Sequence, residues 1–133
     1  MSDNIRVVAI AFFLMTQNKY LICRRGPAES GAGFWEFPGG KIDEGETEKK
    51  ALVREIQEEL SVDVIEDQLV YISDHLHQYD TKKIHIYLYK YDVSGLSYTL
   101  IDHDMADWVT LDQIQNYPLA AADIEFIQKL KLI

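Results

Sequence analysis

Residues 7–15 read VVAIAFFLM, an unbroken apolar run. A membrane span, a secretory leader or a strand at the centre of a core could each absorb it. A span takes about 20 apolar residues, more than the run supplies. The leader pattern fails at both flanks, because Asp3 offsets Arg6 and the following TQN offers no small-residue cleavage site. The run therefore reads as a buried central strand. At 133 residues the chain is expected to form one domain, spanning 1–133, with a real core.

The neighbouring segments read as partners for that strand. IRVVAIAFFLMT and KYLICRR are strands joined by a turn at QNK, and GPAESGAG (26–33) is a small-residue loop. After Pro38-Gly39-Gly40 comes ETEKKALVREIQEEL, made of good helix formers. QLVYISDHLHQYD and KKIHIYLYKYDV are two long strands around a turn near Thr81, ADWVTL (106–111) is a short strand, and LDQIQNY is a short helix. AADIEFIQKLKL is a C-terminal helix with Ile124, Ile127 and Leu130 in register. Strands mixed with two main helices give an α/β or α+β class.

Charge limits the partners. The 22 acidic residues against 13 basic ones leave a net charge of −9, which argues against a nucleic acid polymer, since such binding rests on Lys and Arg neutralising phosphates. A small phosphorylated ligand remains compatible if divalent cations bridge the like charges. The single cysteine, Cys23, rules out an intrachain disulfide and fits a reducing, cytoplasmic setting, with no membrane partner expected. With no cysteine pairs and four dispersed histidines, a zinc site is not expected.

The first helix carries the chemistry. At 100° per residue, with Glu55 as origin, Glu59 lies near 40° and Glu58 near −60°. Three carboxylates then share an arc of about 100°. Leu52, Val53, Ile56 and Leu60 form the adjacent apolar stripe that docks the helix. Ala51 falls within the acidic edge, where a small side chain leaves room for a ligand. A solvated acidic face is the ordinary alternative. Against it, the like charges repel at these spacings, and Lys49 and Lys50 leave Glu58 and Glu59 without a cation in the following turn. Mg²⁺ wants such an oxygen cluster and completes its shell with substrate phosphate.

Gly40, Glu46 and REIQEELSV together resemble the Nudix box. The positions that match are Gly40, Glu46, Arg54, Glu55, Ile56, Glu58, Glu59 and Val62 across residues 40–62, and only Ser61 departs, where that family has Gly. A left-handed residue there costs a side chain about 1–2 kcal/mol. RR, the small-residue loop and WEFPGGK resemble the MutT-type branch, and YPLAAADIEFIQKL is similar to the base-contacting segment of its members acting on cytidine and modified pyrimidine triphosphates. The resemblance implies the Nudix α/β/α sandwich, a mixed sheet between helices, and Mg²⁺-dependent hydrolysis of a nucleoside triphosphate to monophosphate and pyrophosphate, with nucleotide pool sanitation as the task. Mn²⁺ is the expected substitute metal, and the expected assembly is a monomer or homodimer.

The resemblance also implies roles. Glu55, Glu58 and Glu59 would bind the metal with the Gly39 carbonyl, Glu55 is also a candidate base, and Arg54 and Glu46 would pair to hold the loop against the helix. Asp102, by its offset from Trp108, aligns with a further ligand, with Asp104 close by as a rival. Arg25 and Lys41 would contact phosphate, Arg24 being the alternative if the strand faces the other way. Asp123 aligns with a base-reading position; a carboxylate only accepts hydrogen bonds, suiting the cytosine amino group or guanine N1–H and N2–H. Asp123 could equally cap the last helix. Phe34, Trp35 and Phe37, around Glu36, alternate across a short strand, so one aromatic face can reach the base and the other the core, with Trp35 and Phe37 as the base-contacting candidates. Two other readings stand beside this one: hydrolysis of another nucleoside diphosphate derivative (a nucleotide sugar, a dinucleoside polyphosphate or an RNA 5′ end), and a non-catalytic nucleotide-sensing module.

Overall fold

A computed structural model describes residues 3–79 and 81–133. The strands are β1 (Asp3–Leu14), β2 (Lys19–Arg25), β3 (Trp35–Glu36), β4 (Gly39–Lys41), β5 (Val70–Tyr79), β6 (Lys82–Val93) and β7 (His103–Val109). The helices are α1 (Glu48–Leu60) and α2 (Ala121–Lys131), with short 3₁₀ turns at Glu66–Gln68 and Gln113–Asn116.

One mixed sheet runs β3-β2-β1-β6-β5, with β7 on β2 and β4 on β1. β1 lies parallel to β6 from Asp3↔Lys82 to Leu14↔Val93. Its other edge is shared: β4 pairs with Val7–Ala9, and β2 joins only at Phe13 and Leu14. Between them the edge parts, closed by Ile10 N–H donating to the Pro38 carbonyl at 2.9 Å.

Side chains alternate across a strand, and β1 uses both faces. Val8, Ile10 and Phe12 pack in one core with Leu52, Ile56 and Leu60 of α1. Ala9 and Ala11 pack in a second core with Phe126, Ile127 and Leu130 of α2. A strand covered by a helix on each side must be apolar at every position, which explains the unbroken run through Val8–Phe12.

Helix α1 starts where Thr47 accepts the Lys50 N–H at 3.2 Å. It ends at Ser61, left-handed at φ 55° and ψ 38°, whose N–H returns to the Gln57 carbonyl. Three expectations need correcting. Ala51 is fully buried in the α1 core rather than open beside the acids. On α2 the buried stripe is Asp123, Phe126, Ile127 and Leu130, whereas Ile124 faces outward. Nor does Asp123 cap that helix: Ala120 holds the cap position, and Asp123 lies inside the first turn. Among the described residues no helix is long and apolar enough to cross a membrane.

Candidate active site

The glycine pair brings β1 and α1 to one point. A Cβ at Gly39 would overlap the Val8 carbonyl, and one at Gly40 would overlap the Glu55 carboxylate. Close approach rather than an unusual φ thus accounts for glycine at both positions, to backbone at Gly39 and to the Glu55 side chain at Gly40. Arg54 gathers what lies around them. Its Nε and Nη2 donate to the two oxygens of Glu46 at 2.9 and 2.8 Å, and Nη2 also donates to the Lys41 carbonyl at 3.0 Å. Its Nη1 donates to Glu55 at 3.0 Å and to Glu58 at 3.3 Å. The forked bond to Glu46 fastens the 41–46 loop to α1, and Arg54 with the Asp43 N–H holds the Glu46 pKa down to about 2. Glu58 therefore does have a cation near it, contrary to the expectation from Lys49 and Lys50.

Glu59 is different. It is mostly buried, its Oε2 has no hydrogen-bond partner, and desolvation, opposed by nearby His103, pushes its pKa up to about 8. Around it stand Arg25, Glu29, Glu36, Asp102 and His103, which together line a small polar cavity of about 40 Å³. Glu36 accepts from Arg25 Nη1 at 3.0 Å and from His103 Nε2 at 3.0 Å. Burial opposes charging of His103, but the Glu36 hydrogen bond and the charges of Glu36 and Glu59 together outweigh it and the pKa is raised.

A register shift between β2 and β7 decides which residues arrive here. Arg24 pairs with Met105, but Arg25 stands opposite His103, so Asp104 is skipped. Arg24 then binds Asp104 on both oxygens, at 2.8 and 2.9 Å. That leaves Arg25 and Asp102 beside Glu59, and removes Arg24 and Asp104 as their rivals. Glu36 and His103 were not singled out from the sequence. The signal available was a carboxylate set between Trp35 and Phe37, since a charge in an apolar strand needs a partner.

Arg25, Glu36 and Glu59 of this cavity also line a cleft of about 610 Å³. Arg25, Glu36, Glu59, Gly39, Gly40 and Lys41 line one part of it. Ile5, Val7, Ile84, Ile86 and Phe37 give an apolar part, with Asp123 at its wall. Asp123 is buried, accepts the Phe37 N–H at 3.3 Å, and is held well above the usual carboxylate pKa by desolvation. Trp35 is not among the lining residues. It is buried against Tyr117, ring centroids 5.0 Å apart and edge-on, and its backbone is fixed by Pro118 and Ala120. Phe37, two residues on, is the aromatic that reaches the cleft.

Acids on a docked helix, glycines that admit them to a loop, and an adjoining cleft with both cations and an apolar wall match one family. Residues 10–129 fit the NUDIX domain. The chain belongs to the Nudix family. It is 28% identical over 122 residues to the CTP pyrophosphohydrolase of Escherichia coli strain K12, covering 92% of this chain and 89% of that protein. It is 32% identical to putative 8-oxo-dGTP diphosphatase 2 of Mycobacterium tuberculosis strain H37Rv, covering 83% and 77%. Its fold superposes on the solution structure of the E. coli ORF135 protein with TM-score 0.84 and 28% identity, covering 98% and 91%.

Nudix hydrolases generally use a divalent metal, and the donors here suit one. Glu59 Oε2 is a buried carboxyl oxygen lacking a partner, and the bare edge of Gly40 keeps Glu55 against the loop. Among the described residues no three His, Cys, Asp or Glu side chains are already drawn together tightly enough to hold an ion.

Proposed function

We propose that this Nudix protein is a Mg²⁺-dependent nucleoside triphosphate pyrophosphohydrolase, with Mn²⁺ as a substitute, acting on cytidine-type or oxidised (deoxy)nucleotides. The observation that carries the reading is the partnerless, buried Glu59 carboxylate beside a cleft that joins cations to an apolar, carboxylate-bearing wall.

In this reading Glu55, Glu58 and Glu59, with the Gly39 carbonyl and Asp102, hold the metal. When bound, the metal neutralises phosphate charge and makes water a nucleophile near neutral pH. Arg25 and Lys41 answer the remaining phosphate charge and fix the chain in line for displacement, where positioning and electrostatics supply most of the rate. Water adds to phosphorus, the α–β anhydride bond breaks, and monophosphate and pyrophosphate leave. Arg54, already bound to five oxygens, keeps the loop and helix together. Glu55 is the base we assign to the water proton, since it stands against Gly40. Phe37 packs on the base and Asp123 accepts from its N–H groups. The two relatives described above are named for a cytosine and an oxidised guanine nucleotide, and the oxygens of the Asp123 carboxyl group can accept from the N–H donors of either.

The test is a panel of 8-oxo-dGTP, dCTP, 5-methyl-dCTP, CTP and dGTP with Mg²⁺, reading pyrophosphate release and monophosphate formation. Glu58→Gln is expected to cost orders of magnitude in rate with the fold kept. Pyrophosphate from none of the panel would sink the assignment.

A further inference from the structure

We propose that His103 is a positioning residue for the phosphate end of the cleft, acting through Glu36 on Arg25. The three side chains form a line from interior to solvent: His103 is 4% exposed, Glu36 16% and Arg25 34%. Glu36 is held at both oxygens, by His103 Nε2 on the inside and Arg25 Nη1 on the outside. A carboxylate can only accept, so the ring must present Nε2–H to it. The register shift between β2 and β7 sets His103 directly opposite Arg25, which makes the line possible.

What the line delivers is unspent. Arg25 Nε is buried without a partner, as is Glu59 Oε2 in the same small cavity. Polar atoms left so cost free energy unless a ligand takes them. With His103 removed, Glu36 keeps only Arg25 as a restraint, and the guanidinium loses its fixed direction. The inference rests on Arg25 being a phosphate contact.

Two readouts test it: steady-state kinetics on the preferred nucleotide, and calorimetric binding of its α,β-methylene analogue with Mg²⁺. His103→Phe, which keeps the bulk and loses the donor, is expected to raise KM and weaken analogue binding about tenfold, with kcat moving less. His103→Gln, which restores an N–H, should recover most of that. In an Arg25→Ala background His103→Phe should change nothing further, since residues acting as one unit are not additive. Glu36→Gln repeats the test from the middle of the line should His103→Phe fold poorly. Equal loss in His103→Phe and His103→Gln, no loss in either, or full additivity with Arg25→Ala would each overturn the inference. If Arg25→Ala itself leaves KM and binding intact, the phosphate role of Arg25 falls too. Loss in Arg25→Ala with a silent His103→Phe removes the His103 role alone.

Discussion

Gly39 and Gly40 are neighbours with the same side chain, and the structure predicts opposite outcomes when each becomes alanine. At Gly39 the new Cβ meets the Val8 carbonyl and Ala9 Cα, all backbone of β1. That strand is pinned along its length by β6 and cannot retreat. Forcing an extra methyl into a packed interior costs about 1–3 kcal/mol, and against backbone the upper end applies. For 133 residues the unfolding entropy is about 0.28 kcal/mol per degree. Gly39→Ala should therefore melt about 10 °C lower, or fail to fold.

At Gly40 the new Cβ meets only the Glu55 carboxylate, the far end of a flexible side chain. Glu55 can clear it by swinging away about an ångström, and the alanine itself restricts the unfolded chain, worth about 0.4–1 kcal/mol in the other direction. Melting should stay within a few degrees. Function should not survive as well, because a misplacement of about 1 Å at a reacting centre costs about a hundredfold. The assays are thermal melts by circular dichroism and pyrophosphate release with Mg²⁺. Activity of Gly40→Ala within threefold of the parent would refute the argument that this glycine serves the approach of Glu55. Unchanged melting of Gly39→Ala would refute the packing argument.

Other outcomes follow from single contacts. Ser61 is left-handed without being glycine, so Ser61→Gly should stabilise by about 1 kcal/mol, raising the melting temperature by about 3–4 °C; no rise would mean that the cap is unstrained. Glu46 has a folded pKa near 2 against an ordinary 4.5, so the stability it adds is full above 4.5 and lost as pH falls through about 2. Melts of Glu46→Gln and the parent should differ most near pH 6 and converge in acid, and a gap that is constant with pH contradicts the ion-pair assignment. Asp123 is raised instead, so its contribution is full below 3.8 and declines as pH rises. Asp123→Asn should gain on the parent in stability from pH 4 to pH 8 while altering selectivity between cytosine and guanine nucleotides.

The elements legible in the sequence are those whose signals are local. The apolar run announces β1, and the 100° spacing of Leu52, Ile56 and Leu60 announces α1 with its acidic edge turned to the loop. Strand β4 was hidden because Gly-Gly-Lys has no strand propensity; it is extended because β1 offers it an edge. Strand β7 begins three residues before its apolar pattern does, at His103, since pairing with β2 decides its length. Trp35 and Phe37 read alike as aromatics and both are buried, and only the packing of Tyr117 on Trp35 and the bond of Asp123 to the Phe37 N–H set Phe37 rather than Trp35 at the cleft. The bond of Glu36 to His103 joins positions 67 residues apart. No spacing rule reaches that far, and a one-residue register shift alters which side chain arrives.

The same contacts bear on where phosphate charge can go in a protein of net charge −9. Arg54 is the cation set among the acids of α1, yet Glu46, Glu55, Glu58 and the Lys41 carbonyl already occupy its donors. Arg24 is spent on both oxygens of Asp104. Arg25 gives only Nη1 to Glu36 and keeps a buried Nε unmatched, and Lys41 lines the same cleft. The arginines close to the site thus divide into those that build it and the one that has donors to give. A ligand rich in phosphate oxygens supplies what Arg25 lacks, and a divalent cation supplies what Glu59 lacks, so each partner lowers the cost of bringing in the other.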